Sequence, residues 1–363
     1  MRLDRLKLRN FRNFNDTDLT FPNRANLFVG PNGGGKTNLL ESINYLSVAK
    51  SHRGGRDRDL IKFGQESLRV EGTGKSDHGQ VKVEIALTSQ EKRIWLNSSQ
   101  LSVSELVGTL PVVPLSSDDI ETTRGAPLLR RRFVDMILSF LKPSYFAALL
   151  SYRRALQQRN RILTDAKTYN KRYESIESWD AQLIQFGSEL IRFRMGFASE
   201  LSRLASEYYE QIAAEGESYE LTYVPSFPVE ESSIEDSFAD HLRKSRDLER
   251  DRGMTVVGPH RDDFAQRLND KDMRRFASEG QQRTASTSMK LAGAELVHEG
   301  VGEWPIVLFD EVFAELDSER CERIGKAIDK FDQVFIATAK LETIPHLQFD
   351  KFFVEQGAVR TAG

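Results

Sequence analysis

Gly30-Pro31-Asn32-Gly33-Gly34-Gly35-Lys36-Thr37 lies between an apolar run, Leu27-Phe28-Val29, and a segment whose Leu39, Leu40, Ile43 and Leu46 recur at helical spacing. The string has the form G-x-x-x-x-G-K-T between a strand and a helix. Its glycines let successive backbone N–H groups turn toward a β-phosphate, and the polarity of the following helix strengthens that field. Lys36 is expected to reach the β- and γ-phosphates, and the Thr37 hydroxyl to take one position on a bridging Mg²⁺. The stretch Gly30, Pro31, Asn32, Gly33, Gly34, Gly35, Lys36 and Thr37 therefore reads as the cradle of a nucleoside triphosphate.

A second string decides what that cradle serves. Ile306-Val307-Leu308-Phe309 is an uninterrupted apolar run that ends in Asp310-Glu311, the pattern of a buried parallel strand delivering two carboxylates to its C-terminal edge. Asp310 is expected to hold the Mg²⁺ shell and Glu311 to orient and deprotonate the attacking water. A third string, Ser278-Glu279-Gly280-Gln281-Gln282-Arg283, precedes Met289, Leu291, Ala292 and Leu296 at helical spacing. Serine, glycine and bare N–H groups at a helix start form an anion site, although a simple N-cap has the same composition. One chain has little use for two γ-phosphate sites around one nucleotide unless the second serves a partner molecule. That is the ATP-binding-cassette arrangement, in which Ser278, Gly280 and Gln281 would complete the ATP site of a second copy. Glu315-Leu316-Asp317, just past the carboxylates, suits a short loop crossing that interface, with Asp317 near the nucleotide.

At 363 residues and 39% hydrophobic content the chain can hold two domains and an ordinary core. No run approaches the roughly 18 apolar residues that a membrane span requires. The alternating start lacks an apolar signal region, and the single cysteine, Cys321, excludes an internal disulfide framework. A cytoplasmic protein is expected. The net charge of −3 hides an asymmetry, since residues 1–172 hold 29 Lys and Arg against 17 Asp and Glu, and the remainder 22 against 37. The basic half contains Lys50, His52, Arg53, Arg56 and Arg58, then Arg124, Arg130, Arg131 and Arg132, then Arg153, Arg154, Arg159, Arg161, Lys171 and Arg172. Folded onto one face, such clusters would bind nucleic acid in a salt-sensitive, largely sequence-independent way; otherwise they are solvated helix surface.

The fold expected is α/β: a P-loop ABC-type ATPase head, a mixed sheet flanked by helices, with an inserted, mostly helical second domain. The head would comprise 1–120 and 256–363, and the inserted lobe 121–255. Residues 144–168 and 176–213 read as helical throughout, and no sustained heptad repeat makes the insertion a long coiled coil. Val81, Val83, Ile85 and Leu87 alternate as a strand of the head, and Glu230–Asp236 reads as an acidic loop within the lobe.

Leu6-Lys7-Leu8-Arg9-Asn10-Phe11-Arg12-Asn13-Phe14, the P-loop with asparagine third, Gly258-Pro259-His260-Arg261-Asp262-Asp263 and Ser278-Glu279-Gly280-Gln281-Gln282-Arg283-Thr284 together resemble the RecF family. These are bacterial recombination mediators related to the SMC proteins, and the likeness spans essentially the whole chain. The resemblance implies an ATP-driven homodimer that clamps single- and double-stranded DNA at gaps or junctions. It implies weak, DNA-stimulated ATP hydrolysis and partnership with RecO and RecR in loading RecA. It also implies that Arg12 reaches the nucleotide phosphates, and it favours DNA as the partner of Arg53, Arg56, Arg130, Arg131 and Arg132. Two positions depart from the cassette pattern: Thr338 stands where transporter cassettes place a histidine, and only Ser117 or Asp118 is a candidate for the glutamine after the early sheet. Three other readings of the P-loop stand beside it: a nucleotide-binding subunit of a membrane permease, a P-loop kinase, and a structural nucleotide-binding protein that never hydrolyses, which Asp310-Glu311 argues against.

Overall fold

The computed structural model describes residues 1–51, 53–169, 176–213, 216–339 and 348–361. A hairpin of β1 (Arg2–Phe11) and β2 (Phe14–Thr20) leads into β3 (Ala25–Val29), the P-loop and helix α1 (Lys36–Val48). β4 (Ser67–Ser76), β5 (Gly79–Thr88), β6 (Lys92–Leu96) and β7 (Ser99–Leu101) then extend the hairpin into a six-stranded antiparallel sheet, β2-β1-β4-β5-β6-β7. The short helix α2 (Val103–Leu106) returns the chain to β8 (Val112–Ser116).

The helical region follows: α3 (Ile120–Arg124), α4 (Pro127–Leu141), α5 (Pro143–Tyr169) and α6 (Ile176–Ile212), the last about 55 Å long at ~1.5 Å per residue. β9 (Tyr219–Val224), α7 (Ile234–Lys244) and α8 (Arg246–Arg252) complete it. β9 pairs with β10 (Asp263–Leu268), which pairs with β11 (Lys271–Asp272), so this small sheet crosses residue 255. The acidic stretch is not loop throughout: Ile234–Asp236 opens α7, because Ile234, Phe238 and Leu242 recur at helical spacing and bury one face. The chain returns through α9 (Met273–Phe276), α10 (Glu279–Val301), β12 (Ile306–Asp310), α11 (Ser318–Ile328), β13 (Val334–Thr338), β14 (Asp350–Glu355) and β15 (Ala358–Thr361).

The central sheet, ordered β15-β14-β3-β13-β12-β8, is parallel from β14 to β8. β3, β12 and β13 bury both faces, which is why they read as continuous apolar runs. Phe28, Leu308 and Phe335 face α1 and the antiparallel sheet, whereas Leu27, Phe309 and Ile336 face the helical side. The latter core runs without a break into the lobe, through Tyr145, Tyr152 and Phe238. Parallel register brings the C-terminal ends of β3, β13, β12 and β8 to one edge, with Asp310 opposite both Ala337 and Ser116. That edge is where α/β sheets bind ligands.

Candidate nucleotide site

The P-loop leaves β3 at this edge and enters α1 through Gly35, whose φ of 120° no ordinary side chain tolerates. Gly30 and Gly34 are required for a different reason: a Cβ at either would lie 2.0 or 2.7 Å from the carbonyl oxygen of Val354. The β14–β15 hairpin thus backs the loop, and the Gly357 N–H donates to the Gly34 carbonyl at 3.1 Å. Asn13 braces the same carbonyl, its Nδ2 donating at 3.2 Å while its Oδ1 accepts from Asn38 Nδ2 at 2.8 Å. These contacts fix the cradle before any ligand arrives.

Lys36 is buried, its ammonium donating to the Gly30 and Pro31 carbonyls at 2.9 and 3.2 Å and pairing with Glu311 Oε1 at 3.2 Å. Thr37 Oγ1 donates to Asp310 Oδ1 at 3.1 Å. Burial, with the adjacent Glu311 charge, pushes the Asp310 carboxyl up to about 6, while Thr37, Arg53 and Lys36 pull the other way. Glu311 adopts φ 56°; its N–H donates to Ala337 O at 2.9 Å and its Oε2 accepts from the Ala339 N–H at 3.2 Å. Thr338, at the histidine position of transporter cassettes, ends β13 fully buried, and the backbone of its neighbour holds the carboxylate instead.

The protein offers one hydroxyl and one carboxylate toward a cation here, and no cluster of three or more His, Cys, Asp or Glu among the described residues could hold a metal alone. Such a donor set fits Mg²⁺, which retains waters and shares its shell with substrate phosphates. Ser116 lies beside Asp310 at the end of β8, and Ser117 and Asp118 open the turn that follows it. α10 grips this corner: Lys290 Nζ donates to the Pro114 carbonyl at 2.7 Å and pairs with Asp119 at 2.6 Å, and Arg283 reaches the Ser117 carbonyl at 3.2 Å.

Ser278, Gly280, Gln281 and Asp317 form a second group. Ser278 caps α10 at the surface, accepting from Gln281 N at 3.3 Å and donating its own N–H to Gln281 Oε1 at 2.8 Å. Asp317 caps α11 in the same way, accepting from Arg320 N at 2.8 Å. Arg320 joins the two caps, since it pairs with Asp317 and a Cβ on Gly280 would sit 2.8 Å from its Nη1.

Several basic residues depart from expectation. Arg12 does not point at the loop: its guanidinium grips buried Glu41 on α1 through two bonds of 2.9 Å and donates to the Asp59 carbonyl. Its neighbour Asn13 is the residue that touches the P-loop. Arg53 lies close enough to lower Asp310 and donates to Asn38 Oδ1 at 3.4 Å, so its charge faces the phosphate pocket. Arg56 and Arg132 are exposed. Arg130 is buried in a bidentate pair with Asp263 at 2.7 and 3.0 Å, and half-buried Arg131 donates to the Asp262 carbonyl. Three consecutive helical residues step by about 100° and cannot share one face, which dissolves that cluster as a surface for DNA. Arg159 is likewise fully buried, between Asp180 and Glu249 at 2.6 Å each. His52, Lys171 and Arg172 lie outside the described residues.

The Gly258–Asp263 motif is the knot between lobe and head. Half-buried His260 donates from Nε2 to the Thr255 carbonyl at 3.2 Å and accepts the Tyr152 hydroxyl on Nδ1 at 2.6 Å, and desolvation pushes its pKa down to about 3. Asp262 accepts from the Tyr223 hydroxyl and from Ser226 N, beside Arg194.

A P-loop, a strand-end Asp-Glu pair and a capped signature helix on this mixed sheet define the head fold of the ABC and SMC ATPases. The RecF/RecN/SMC N-terminal domain model matches residues 2–355. Proteins described as DNA replication and repair protein RecF from Halalkalibacterium halodurans and Alkaliphilus oremlandii are 35% and 37% identical, over 100% and 99% of this chain and 100% of each relative. A solved structure of the recombination mediator protein RecF-ATPrS in the RecFOR pathway superposes with a TM-score of 0.92 at 33% identity, covering 100% of this chain and 98% of that one. The RecF-ATP structure gives 0.91 at 33% identity, with 99% and 97% covered. The Smc head domain from Pyrococcus furiosus, at 16% identity and TM-score 0.57 over 99% and 95% of the two chains, shares the fold. The chain belongs to the RecF family.

Proposed function

We propose that this chain is a DNA-repair ATPase of the RecF kind, whose two copies close around DNA when each ATP is held between the P-loop of one and the Ser278 turn of the other. The observation that carries this reading is the split of the site: Lys36, Thr37, Asp310 and Glu311 gather at the sheet edge, whereas the Ser278 and Asp317 caps form a separate surface group joined through Arg320. The RecF-ATP and RecF-ATPrS relatives support ATP as the nucleotide.

Binding begins at Lys36, whose ammonium exchanges two carbonyls and Glu311 for phosphate oxygens. That exchange frees Glu311, which the Ala339 N–H and a constrained backbone keep in place to orient and deprotonate water. Thr37 and Asp310 would hold Mg²⁺, which supplies neutralisation of the β- and γ-phosphate charge. Arg53 adds positive charge at the mouth of the pocket. The Ser278 cap presents free N–H groups of α10 to the γ-phosphate of the partner copy.

ATP adds to association only the difference between its affinities for the closed pair and for the single chain, about 2.7 kcal/mol per site for a hundredfold difference. Hydrolysis removes that contribution and reopens the clamp, so slow turnover suits a switch. On this reading the protein works in the cytoplasm with RecO and RecR to load RecA at single-strand gaps or junctions; the RecFOR pathway named for the solved relatives supports the association with RecO and RecR. No helix among the described residues is long and apolar enough to cross a membrane. The test is DNA binding and phosphate release measured together: ATP should tighten binding to duplex and single strands, and DNA should raise turnover. ATP-independent DNA binding with DNA-independent turnover would overturn the proposal.

A further inference from the structure

The connection between α1 and β4 presents one side chain that no packing explains. Lys62-Phe63-Gly64-Gln65 is a type II turn, closed by Gln65 N–H donating to the Lys62 carbonyl at 2.9 Å, with Gly64 at φ 81°. Its first central residue, Phe63, is 100% exposed, whereas Phe11, Phe14, Phe21 and Phe28 are buried. The turn is anchored on both sides. Ile61 bridges Phe11, Lys62 N–H donates to the Asn10 carbonyl at 2.8 Å, and the Leu60 carbonyl accepts from Arg12 N–H at 2.7 Å. A rigid support therefore holds the ring out into solvent.

The surroundings are cationic. Lys50, Arg53, Arg56 and Arg58 are exposed on the same connection. Two of its carboxylates are engaged, since Asp57 pairs with Lys92 and Asp59 accepts the Arg56 N–H at 2.9 Å, while the third, Glu66, is exposed beside the turn, so four exposed cations outnumber the exposed acids Asp59 and Glu66. Arg58, five residues away, lies within roughly 17 Å of Phe63 along the chain. An apolar protein partner would want further apolar surface around the ring, whereas the chain that follows it is Gly64, Gln65 and Glu66, all exposed. A flat π-face beside cations matches a base and its flanking phosphates.

We infer that the 62–65 turn is a stacking site for an unpaired nucleobase, with Phe63 under the base and Arg56 and Arg58 on the neighbouring phosphates. The inference rests on the nucleic-acid reading above and adds to it a discrimination between unpaired and paired strands, since bases inside a duplex offer no free face. The site is wired to the nucleotide pocket. Lys62 Nζ donates to the Asn13 carbonyl at 3.0 Å, and the Asn13 side chain holds the Gly34 carbonyl of the P-loop. A strand held at Phe63 thus bears on the loop that cradles ATP.

The experiment compares wild type, Phe63→Ala and Phe63→Trp, all with ATP, on an oligothymidine strand and on a fully paired duplex across a salt series. Phe63→Ala should weaken single-strand binding about 10-fold and duplex binding by less than about twofold, within the range for one base on one aromatic ring. Its salt slopes should stay unchanged, because the phosphate contacts remain. Stimulation of turnover by the single strand should fall with that affinity while basal turnover holds. Phe63→Trp should restore binding and show indole quenching on the strand. Equal binding of both probes by Phe63→Ala and wild type overturns the stacking site and leaves the clamp reading intact, as does equal loss on both probes. Loss of ATP-dependent pairing in Phe63→Ala would assign the ring to the contact between copies and overturn it too. Failure of wild type to bind either probe removes the nucleic-acid reading and this site with it.

Discussion

Glu311 occupies the left-handed region at φ 56°, which costs a residue with a side chain about 1–2 kcal/mol, and two backbone groups of the β13 end hold it there. Strain retained at one carboxylate points to a group that must not move. Glu311→Gln should cut phosphate release about 10²–10⁴-fold while nucleotide titration shows ATP still bound; unchanged turnover would remove Glu311 from the chemistry. Asp310 makes a second, pH-dependent statement. Its folded pKa of about 6 lies above the ordinary carboxylate value, so its ionisation opposes folding. That contribution to stability is complete below the unfolded pKa and is lost as pH rises through about 6. Binding a cation requires the charged form, so Mg²⁺-dependent ATP affinity should fall as pH drops below about 6. Asp310→Asn should raise the Tm of the nucleotide-free protein at neutral pH and abolish Mg²⁺-dependent turnover. An unchanged Tm would contradict the burial argument, and a flat affinity profile the metal role.

At the scale of elements, the helices of the lobe are held together by arginines turned inward. Arg159 on α5, between Asp180 of α6 and Glu249 of α8, joins three helices at one buried point. Glu249→Ala should destabilise the fold by about 3–5 kcal/mol, the cost of breaking a buried pair and leaving its charge. Urea unfolding reads this directly, and a loss below ~1 kcal/mol would mean that water reaches the pair. These arginines also mark the limit of what the sequence could disclose. Gly30–Thr37, Asp310-Glu311 and the Ser278 turn were legible because each is a short string whose own backbone creates its geometry. Arg130, Arg159 and Arg12 were not, because a lone arginine reads as surface until Asp263, Glu249 or Glu41 arrives from a distant segment. Asn13 carries no signal in composition or spacing; only the fold brings it against Gly34. The small sheet escaped for the same reason, since β9 and β10 lie on either side of the expected boundary at residue 255.

At the scale of the molecule, α10 is the part that relates one catalytic edge to another. It begins at the surface cap Ser278 and, three turns on, sets Lys290 against Asp119 and the β8 end beside Asp310. In the proposed pairing, this one helix would carry the contact to a partner's γ-phosphate at the first point and the contact with the β8 end beside Asp310 at the second. The charge asymmetry between residues 1–172 and the remainder leaves exposed cations on the connection after α1, at Lys50, Arg53, Arg56 and Arg58, and on the helical region, at Arg132, Arg153, Arg154 and Arg161. Ser278→Arg should place a bulky cation where the two copies would meet, leaving Lys36 and Thr37 untouched. Sedimentation of wild type and this variant, with and without ATP and Mg²⁺, measures the shared site most directly. Single chains are expected without ATP, wild-type dimers with it, and a variant that binds ATP yet stays single. Wild-type chains that remain single when saturated with ATP, or a Ser278→Arg variant that pairs as wild type does, would contradict it.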